Sequence, residues 1–265
     1  MRLWRPSRFA RLRIAAERAG RRWPLVDRYG AAMARIAWKT ARAELAILVT
    51  FLIVAGGVWA FVLLAGEVAE GETEAFDRAV LLAFRSSADP SDPIGPGWLE
   101  EAVRDVTALG SNVVLTFVTL AVIGYLVLAR KRGAALLVAA SVGGGTLIGT
   151  LLKAVFQRPR PDLVPHGMDI YTASFPSNHA MLSAVTYLTL GALLARLHDG
   201  RAIKIYFLLL SVLLTVMVGL SRIHLGVHWP TDVLAGWAIG AAWAMGVWLA
   251  ALLLQRRGAV ERPGG

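Results

Sequence analysis

The sequence contains no cysteine among its 265 residues. That removes disulfides, thiolate metal sites and a thiol nucleophile from consideration. It also shows no internal repeat and no low-complexity tract. Glycines cluster at Gly143, Gly144, Gly145 and Gly149, but in an apolar run rather than in a strand-to-helix turn carrying Gly-Lys-Ser. They predict close helix packing and not a phosphate loop. A cleaved signal peptide is not expected, because 44 residues precede the first apolar block and that block is long enough to span a bilayer.

What the chain does have is hydrophobic residues in long blocks, 56% of the total. Roughly 20 apolar residues in succession cross a bilayer as a helix. Six blocks meet or approach that length: Leu45–Gly66, Val106–Ala129, Gly133–Leu152, Ala180–Ala195, Ile205–Ser221 and Val233–Gln255. The expected fold class is therefore all-α, a polytopic membrane protein of six transmembrane helices. The fourth and fifth blocks are short, so their charged flanks are expected to press into the membrane edge. The domain plan that follows is a basic segment over 1–43, a six-helix domain over 44–255 with an external loop at 67–112, and a tail at 256–265.

A net charge of +10 would suggest nucleic acid in a soluble protein, but its distribution excludes that partner. With both termini on the cytoplasmic side, 21 of the 28 Lys and Arg residues fall there, while the opposite side carries 13 of the 18 acidic ones. This is the positive-inside asymmetry, and it sets orientation. Met1–Ala43 interleaves twelve basic residues with aromatics such as Trp4, Trp23 and Trp38. It reads as a loosely ordered arm against anionic membrane lipids. Within the external loop, Phe76, Val80 and Phe84 share one helical face, as do Trp98, Ala102, Val106 and Leu109. Two short surface helices are expected, either roofing a pocket or simply packing on the bundle. The turn-rich "SSADPSDPIGPG" separates them.

Three polar clusters stand at the ends of these spans, all on the external side. They are Lys153 with Arg160, Ser177 with His179, and Arg222 with His228 and Asp232. Polar groups at membrane depth are costly unless paired or hydrated, so a shared site is expected. Three cations with many N–H donors suit a tetrahedral oxyanion. The Asp and His cluster of a two-metal phosphatase is missing, so no metal or other cofactor is expected. Asp232, four residues after His228, is placed to hold one ring nitrogen and expose the other for attack on phosphorus. His179 could serve as general acid on the leaving oxygen.

"K-x6-RP" at Lys153–Pro161, "PSNH" at Pro176–His179 and "SR-x5-H-x3-D" at Ser221–Asp232 resemble the three-part signature of the type 2 phosphatidic acid phosphatase superfamily. These are membrane lipid phosphatases that share their phosphate pocket with vanadium haloperoxidases. The resemblance implies that Lys153, Arg160 and Arg222 grip phosphate, with Ser177 and the Asn178 backbone N–H assisting. It implies that His179 protonates the leaving group, that His228 forms a phosphohistidine, and that Asp232 orients His228. The family usually has glycine where this chain has Asn178, whose side chain is expected to narrow the pocket. His224 lacks a carboxylate at comparable spacing and departs from the signature's histidine position. His166, His198 and Arg158 are expected to be surface residues.

The expected protein is thus a lipid phosphatase acting on monoester or diphosphate headgroups, with phosphatidic acid, phosphatidylglycerol phosphate, undecaprenyl diphosphate and lipid A phosphates as candidate substrates. Membrane lipids are its expected surroundings, and the expected location is a bacterial inner membrane with the site on the periplasmic side. Two alternatives stay open. The phosphohistidine could pass phosphate to a second lipid, making a phosphotransferase, or the chain could bind or transport lipid phosphates without turnover. A haloperoxidase does not suit so hydrophobic a chain.

Overall fold

The computed structural model describes residues 24–162 and 173–256. His166, Met1–Trp23 of the basic arm and residues 257–265 of the tail lie outside them. The chain divides into two compact units at Val49/Thr50. In the first, the described residues are helical from Pro24 onward, so the stretch 24–43, read as a loose arm, is regular helix. Arg42 stacks its guanidinium 4.6 Å from the Trp38 ring there, one turn away.

Eight helices make up the described residues: α1 Pro24–Glu70, α2 Glu74–Ala83, α3 Gly97–Ala108, α4 Asn112–Leu128, α5 Arg132–Phe156, α6 Asn178–Leu197, α7 Arg201–His224 and α8 Pro230–Arg256. Among these residues there is no strand, only an isolated bridge between Arg85 and Pro93. Five helices are long and apolar enough to cross a membrane, and the bent pair α3–α4 makes up to six. This is a multi-pass helical membrane protein, as the apolar blocks predict.

The helices outrun the apolar blocks, because a span can keep its backbone hydrogen bonds in regular helix past its apolar residues. The fourth and fifth blocks become helices of 20 and 24 residues. The added residues are polar: Arg222 and His224 lie beyond the fifth block at the end of α7 and are buried. The second block is interrupted. Its first residues finish α3, and the chain then bends by 45° before α4, whose first turn is capped by the Ser111 hydroxyl accepting from Val114 N–H at 3.3 Å.

Within the second unit, α6 is the most enclosed span. Its Ser183, Thr186 and Thr189 are buried, and Thr189 pairs with Ser141 of α5 at 2.7 Å. Small residues allow the close crossings. A Cβ at Gly240 of α8 would lie 2.6 Å from the Met181 carbonyl oxygen, and one at Gly236 2.8 Å from that of Ser177. Gly144, Gly145 and Gly149 of α5 are likewise filled by Trp243, Val185 and Asn178, whereas Gly143 faces open space. Close approach through small residues is how membrane helices gain van der Waals contact.

The two loop helices form where the sequence predicts, but each presents a different face. On α2 the buried residues are Asp77 and Leu81, while Phe76 is 51% exposed. On α3, Trp98 is 68% exposed, and it is Thr107 that engages α7. The cause is polar pairing: Asp77 and Thr107 find buried partners and rotate the bulky apolar residues outward.

Candidate active site

The C-terminal ends of α5 and α7, the N-terminal ends of α6 and α8, and the loops beside them carry the predicted residues. Lys153 lies in the last turn of α5, and its Nζ donates to the Ala173 carbonyl at 2.7 Å. Ser177 is the N-cap of α6 and is fully buried; its hydroxyl accepts from Ala180 N–H at 3.5 Å, and its own N–H donates to the Asp232 carbonyl at 3.0 Å. Asn178 and His179 open the same helix. Helix geometry leaves such first-turn amides without an intrahelical acceptor and turned to the N-terminus, where an anion is favoured. Asn178 aims its Oδ1 at the bare backbone of Gly149, one turn below Lys153 on α5; a Cβ there would lie 2.9 Å from it.

His228 sits in the short loop between α7 and α8 and is 1% exposed. Its Nδ1 faces Asp232 Oδ2 at 3.3 Å and Ser174 Oγ at 3.3 Å. Its Nε2 accepts from Arg160 Nη1 at 3.2 Å, and the same Nη1 donates to the Val227 carbonyl at 2.8 Å. Burial holds the His228 imidazole far below its usual range, at about 3; the Arg160 and Arg222 charges push the same way, against the pull of Asp232. The ring is therefore neutral near pH 7. With Nδ1 turned to the carboxylate, the lone pair is on Nε2. Burial also lowers Arg160, opposed by Asp232.

Arg222, buried in the last turn of α7, donates through Nη1 to Thr107 Oγ1 at 3.0 Å, while its Nε has no protein partner. Electrostatic coupling ties the set together: Lys153 feels Arg160, Arg222 and Asp232, and His179 feels Arg222, His228, Lys153 and Arg160. The structure thus brings Lys153, Arg160, His179, Arg222, His228 and Asp232 to one place. Three cations, a helix N-terminus and a neutral imidazole held by a carboxylate can bind a phosphoryl group and attack it. No group of three or more His, Asp or Glu residues placed to hold a metal occurs among the described residues.

The Asp232 carboxylate has four hydrogen-bond partners. Its Oδ2 accepts from Ser174 Oγ, from Trp229 N–H at 3.0 Å and from His228; its Oδ1 accepts from Arg158 Nη1 at 2.8 Å. Arg158 is accordingly no surface charge. Its side chain is 12% exposed and also pairs with Asp77 at 2.7 Å. Two carboxylates buried at this depth need a shared cation, and that draws the arginine inward.

Sequence reasoning missed Ser174, Asp77 and Thr107 and misplaced Arg158. Asp77 carried a signal, as the one acidic residue on a loop-helix face with Leu81 one turn on. Ser174 carried none, being a serine in a loop. His224 is buried with its ring edge-on to Phe84, and its carbonyl accepts from Arg85 Nη2 at 2.7 Å. His198 bonds the Leu194 carbonyl at the far end of α6.

Comparison with known proteins matches residues 134–256 to the PAP2 superfamily. A decaprenylphosphoryl-5-phosphoribose phosphatase of Mycobacterium tuberculosis is 37% identical over 149 residues, covering 55% of this chain and 76% of that one. Phosphatidylglycerophosphatase B of Bacillus subtilis is 29% identical over 182 residues, covering 68% and 85%. Among solved structures, the transmembrane PAP2-type phosphatidylglycerolphosphate phosphatase of Bacillus subtilis superposes with a TM-score of 0.69 at 26% identity, covering 80% of this chain and 99% of that one.

Proposed function

Since the chain belongs to the PAP2 superfamily and is a membrane phosphatase, we propose that it cleaves lipid phosphates through a phosphohistidine at His228, with no metal ion. The observation that carries this reading is the buried His228–Asp232 pair, in which Nδ1 is held by the carboxylate and Nε2 is turned to the Arg160 guanidinium.

In the first step His228 Nε2 attacks phosphorus. The N–P bond forms as the bond to the leaving oxygen breaks, and His179, which enters this step protonated beside the bound phosphate dianion, gives that oxygen its proton. In the second, His179 takes a proton from water as the water oxygen attacks phosphorus. The N–P bond breaks, inorganic phosphate leaves, and His228 returns to its neutral form. Lys153, Arg160, Arg222 and the α6 N-terminus stabilise the charge that builds on the equatorial oxygens in both transition states. Asp232 keeps the ring oriented and offsets the positive charge that His228 gains when phosphorylated.

The substrate is a lipid phosphate. The named relatives act on phosphatidylglycerophosphate and on decaprenylphosphoryl-5-phosphoribose, which makes these the first two headgroups to try, beside phosphatidic acid and undecaprenyl diphosphate. We assign the site to the non-cytoplasmic side of the membrane on the distribution of Lys and Arg along the sequence.

The test is phosphate release by detergent-purified protein in excess EDTA across those four lipids. Turnover of at least one, abolished in His228→Ala, is the expected result, together with acid-labile phosphate on the wild-type protein after rapid quench. Undiminished turnover by His228→Ala would overturn the nucleophile, and restoration only by divalent metal would overturn the metal-free chemistry.

A further inference from the structure

Of the three arginines around the site, one has both terminal nitrogens already bonded within the protein. Arg158 uses Nη1 on Thr231 Oγ1 at 2.9 Å and Asp232 Oδ1 at 2.8 Å, and Nη2 on Thr73 Oγ1 at 3.2 Å and Asp77 Oδ2 at 2.7 Å. With both terminal nitrogens committed, its guanidinium has no fork to offer a phosphate. Arg160, by contrast, stands against His228 Nε2, and Arg222 keeps an unpartnered Nε.

The far partner of Arg158 belongs to the external loop. Asp77 of α2 is fully buried, and it also accepts from Thr231 N–H at 2.9 Å and from Thr231 Oγ1 at 2.7 Å. It therefore grips the first turn of α8, the turn that carries Asp232, as well as the arginine bonded to Asp232. Arg158 acts a second time through its backbone: its carbonyl accepts from Ser174 N–H at 2.8 Å, fixing the residue whose hydroxyl donates to Asp232. Every side-chain donor to Asp232 other than His228 is thus Arg158 itself or a residue bonded to it. The next residue along α2 behaves differently: Arg78 reaches Asp162 at 3.8 Å with both side chains well exposed, and such a surface pair contributes little.

We propose that Asp77 and Arg158 are positioning residues for the phosphatase reaction, a strap from the loop helix α2 that holds Asp232 and with it the pose of His228. The proposal rests on the phosphohistidine reading above. Its physical content is that Asp77 sets kcat without touching substrate. Without the Asp77 charge, Arg158 loses one of its two anchors and Asp232 gains freedom to turn. A nucleophile mis-set by an ångström or less costs on the order of a hundredfold in rate, while the phosphate grip by Lys153, Arg160 and Arg222 stays in place.

The experiment compares wild type with Asp77→Asn, Arg158→Lys, Arg158→Ala, the Asp77→Asn/Arg158→Ala double variant, Arg78→Ala and His228→Ala, each checked for folding by size exclusion and thermal melting. Asp77→Asn keeps the shape and an acceptor for Thr231 N–H. It should lower kcat about ten- to a hundredfold with KM within twofold. Arg158→Lys, which can meet one carboxylate at a time, should fall between wild type and Arg158→Ala. The double variant should be no slower than its slower parent, because both changes cut one strap. Arg78→Ala should match wild type. Wild-type kcat in folded Asp77→Asn, a loss carried mainly by KM, or multiplicative losses in the double variant would overturn the proposal. Should Arg158→Ala not fold, Asp77→Asn and Arg158→Lys decide the matter. Full activity in His228→Ala would strike at the phosphohistidine reading instead, whereas a dead His228→Ala beside a fast Asp77→Asn would remove the strap alone.

Discussion

Adding one methyl group at Gly240 should cost this protein most of its activity. The Cβ would stand 2.6 Å from the Met181 carbonyl oxygen and 3.2 Å from Met181 Cα, where ordinary contact begins at 3.4 Å. Backbone cannot swing aside as a side-chain tip can, so α8 must back away from α6 by about 0.8 Å at this crossing. Overpacking of this kind costs about 1–3 kcal/mol. Two turns up the same helix, Asp232 accepts through its carbonyl from Ser177 N–H at 3.0 Å, a direct link between the first turn of α8 and the N-cap of α6. A shift approaching 1 Å between those groups is worth on the order of a hundredfold in rate. Gly246, on the same helix with nothing within 4 Å of its would-be Cβ, is the internal control. The assay is phosphate release at saturating lipid, paired with thermal melting in the same detergent. Gly240→Ala should lose ten- to a hundredfold in kcat and melt lower, and Gly246→Ala should do neither. If Gly240→Ala works and melts like wild type, or if both variants fail alike, the close crossing does not set the site.

Ser174→Ala leaves Asp232 with its Arg158, Trp229 and His228 contacts, so kcat should fall about tenfold with KM unchanged; an unchanged kcat would show that the hydroxyl is dispensable. Thr107→Val removes the acceptor of Arg222 Nη1. At about 1 kcal/mol for one hydrogen bond, KM should rise about fivefold with kcat within twofold, and a loss in kcat alone would contradict a role in binding. His228 also predicts a pH dependence of stability. Its folded-state value lies near 3 against 6.5 for a free imidazole. Below pH 6.5 the unfolded chain therefore takes up a proton that the native state refuses. Stability is full above 6.5 and falls with acid by up to about 1.4 kcal/mol per pH unit until the native value is reached. Melting temperature between pH 7 and 5 should drop less steeply in His228→Gln than in wild type; parallel slopes would refute the assignment.

The spans could be read from the sequence because apolar length leaves few alternatives in a bilayer. Their ends could not, because α6 already begins at Asn178 and α7 runs on through Arg222–His224, where hydropathy has fallen. The residues of the proposed site were legible from spacing: Lys153, Arg160, His179, Arg222, His228 and Asp232 stand in or beside the end turns of the spans, where isolated polar groups are costly. Arg158 was not, since one arginine in "QRPRP" looks like another until Asp77, 81 positions earlier, is folded against it. The loop helices failed in the same way. Their apolar faces were counted correctly as periodic, but the buried face was decided by Asp77 and Thr107, polar residues whose partners lie on other helices.

The enclosure of α6 bears on how the protein is made. It is the least apolar of the five long helices yet the one most surrounded by others, and its Ser183, Thr186 and Thr189 are hidden only once neighbours on both sides are present. A ribosome delivers it to the bilayer before α7 and α8 exist. The nascent chain must therefore shelter a segment that lipid alone receives poorly, against α5 or within the insertion machinery, until the last quarter of the polypeptide emerges.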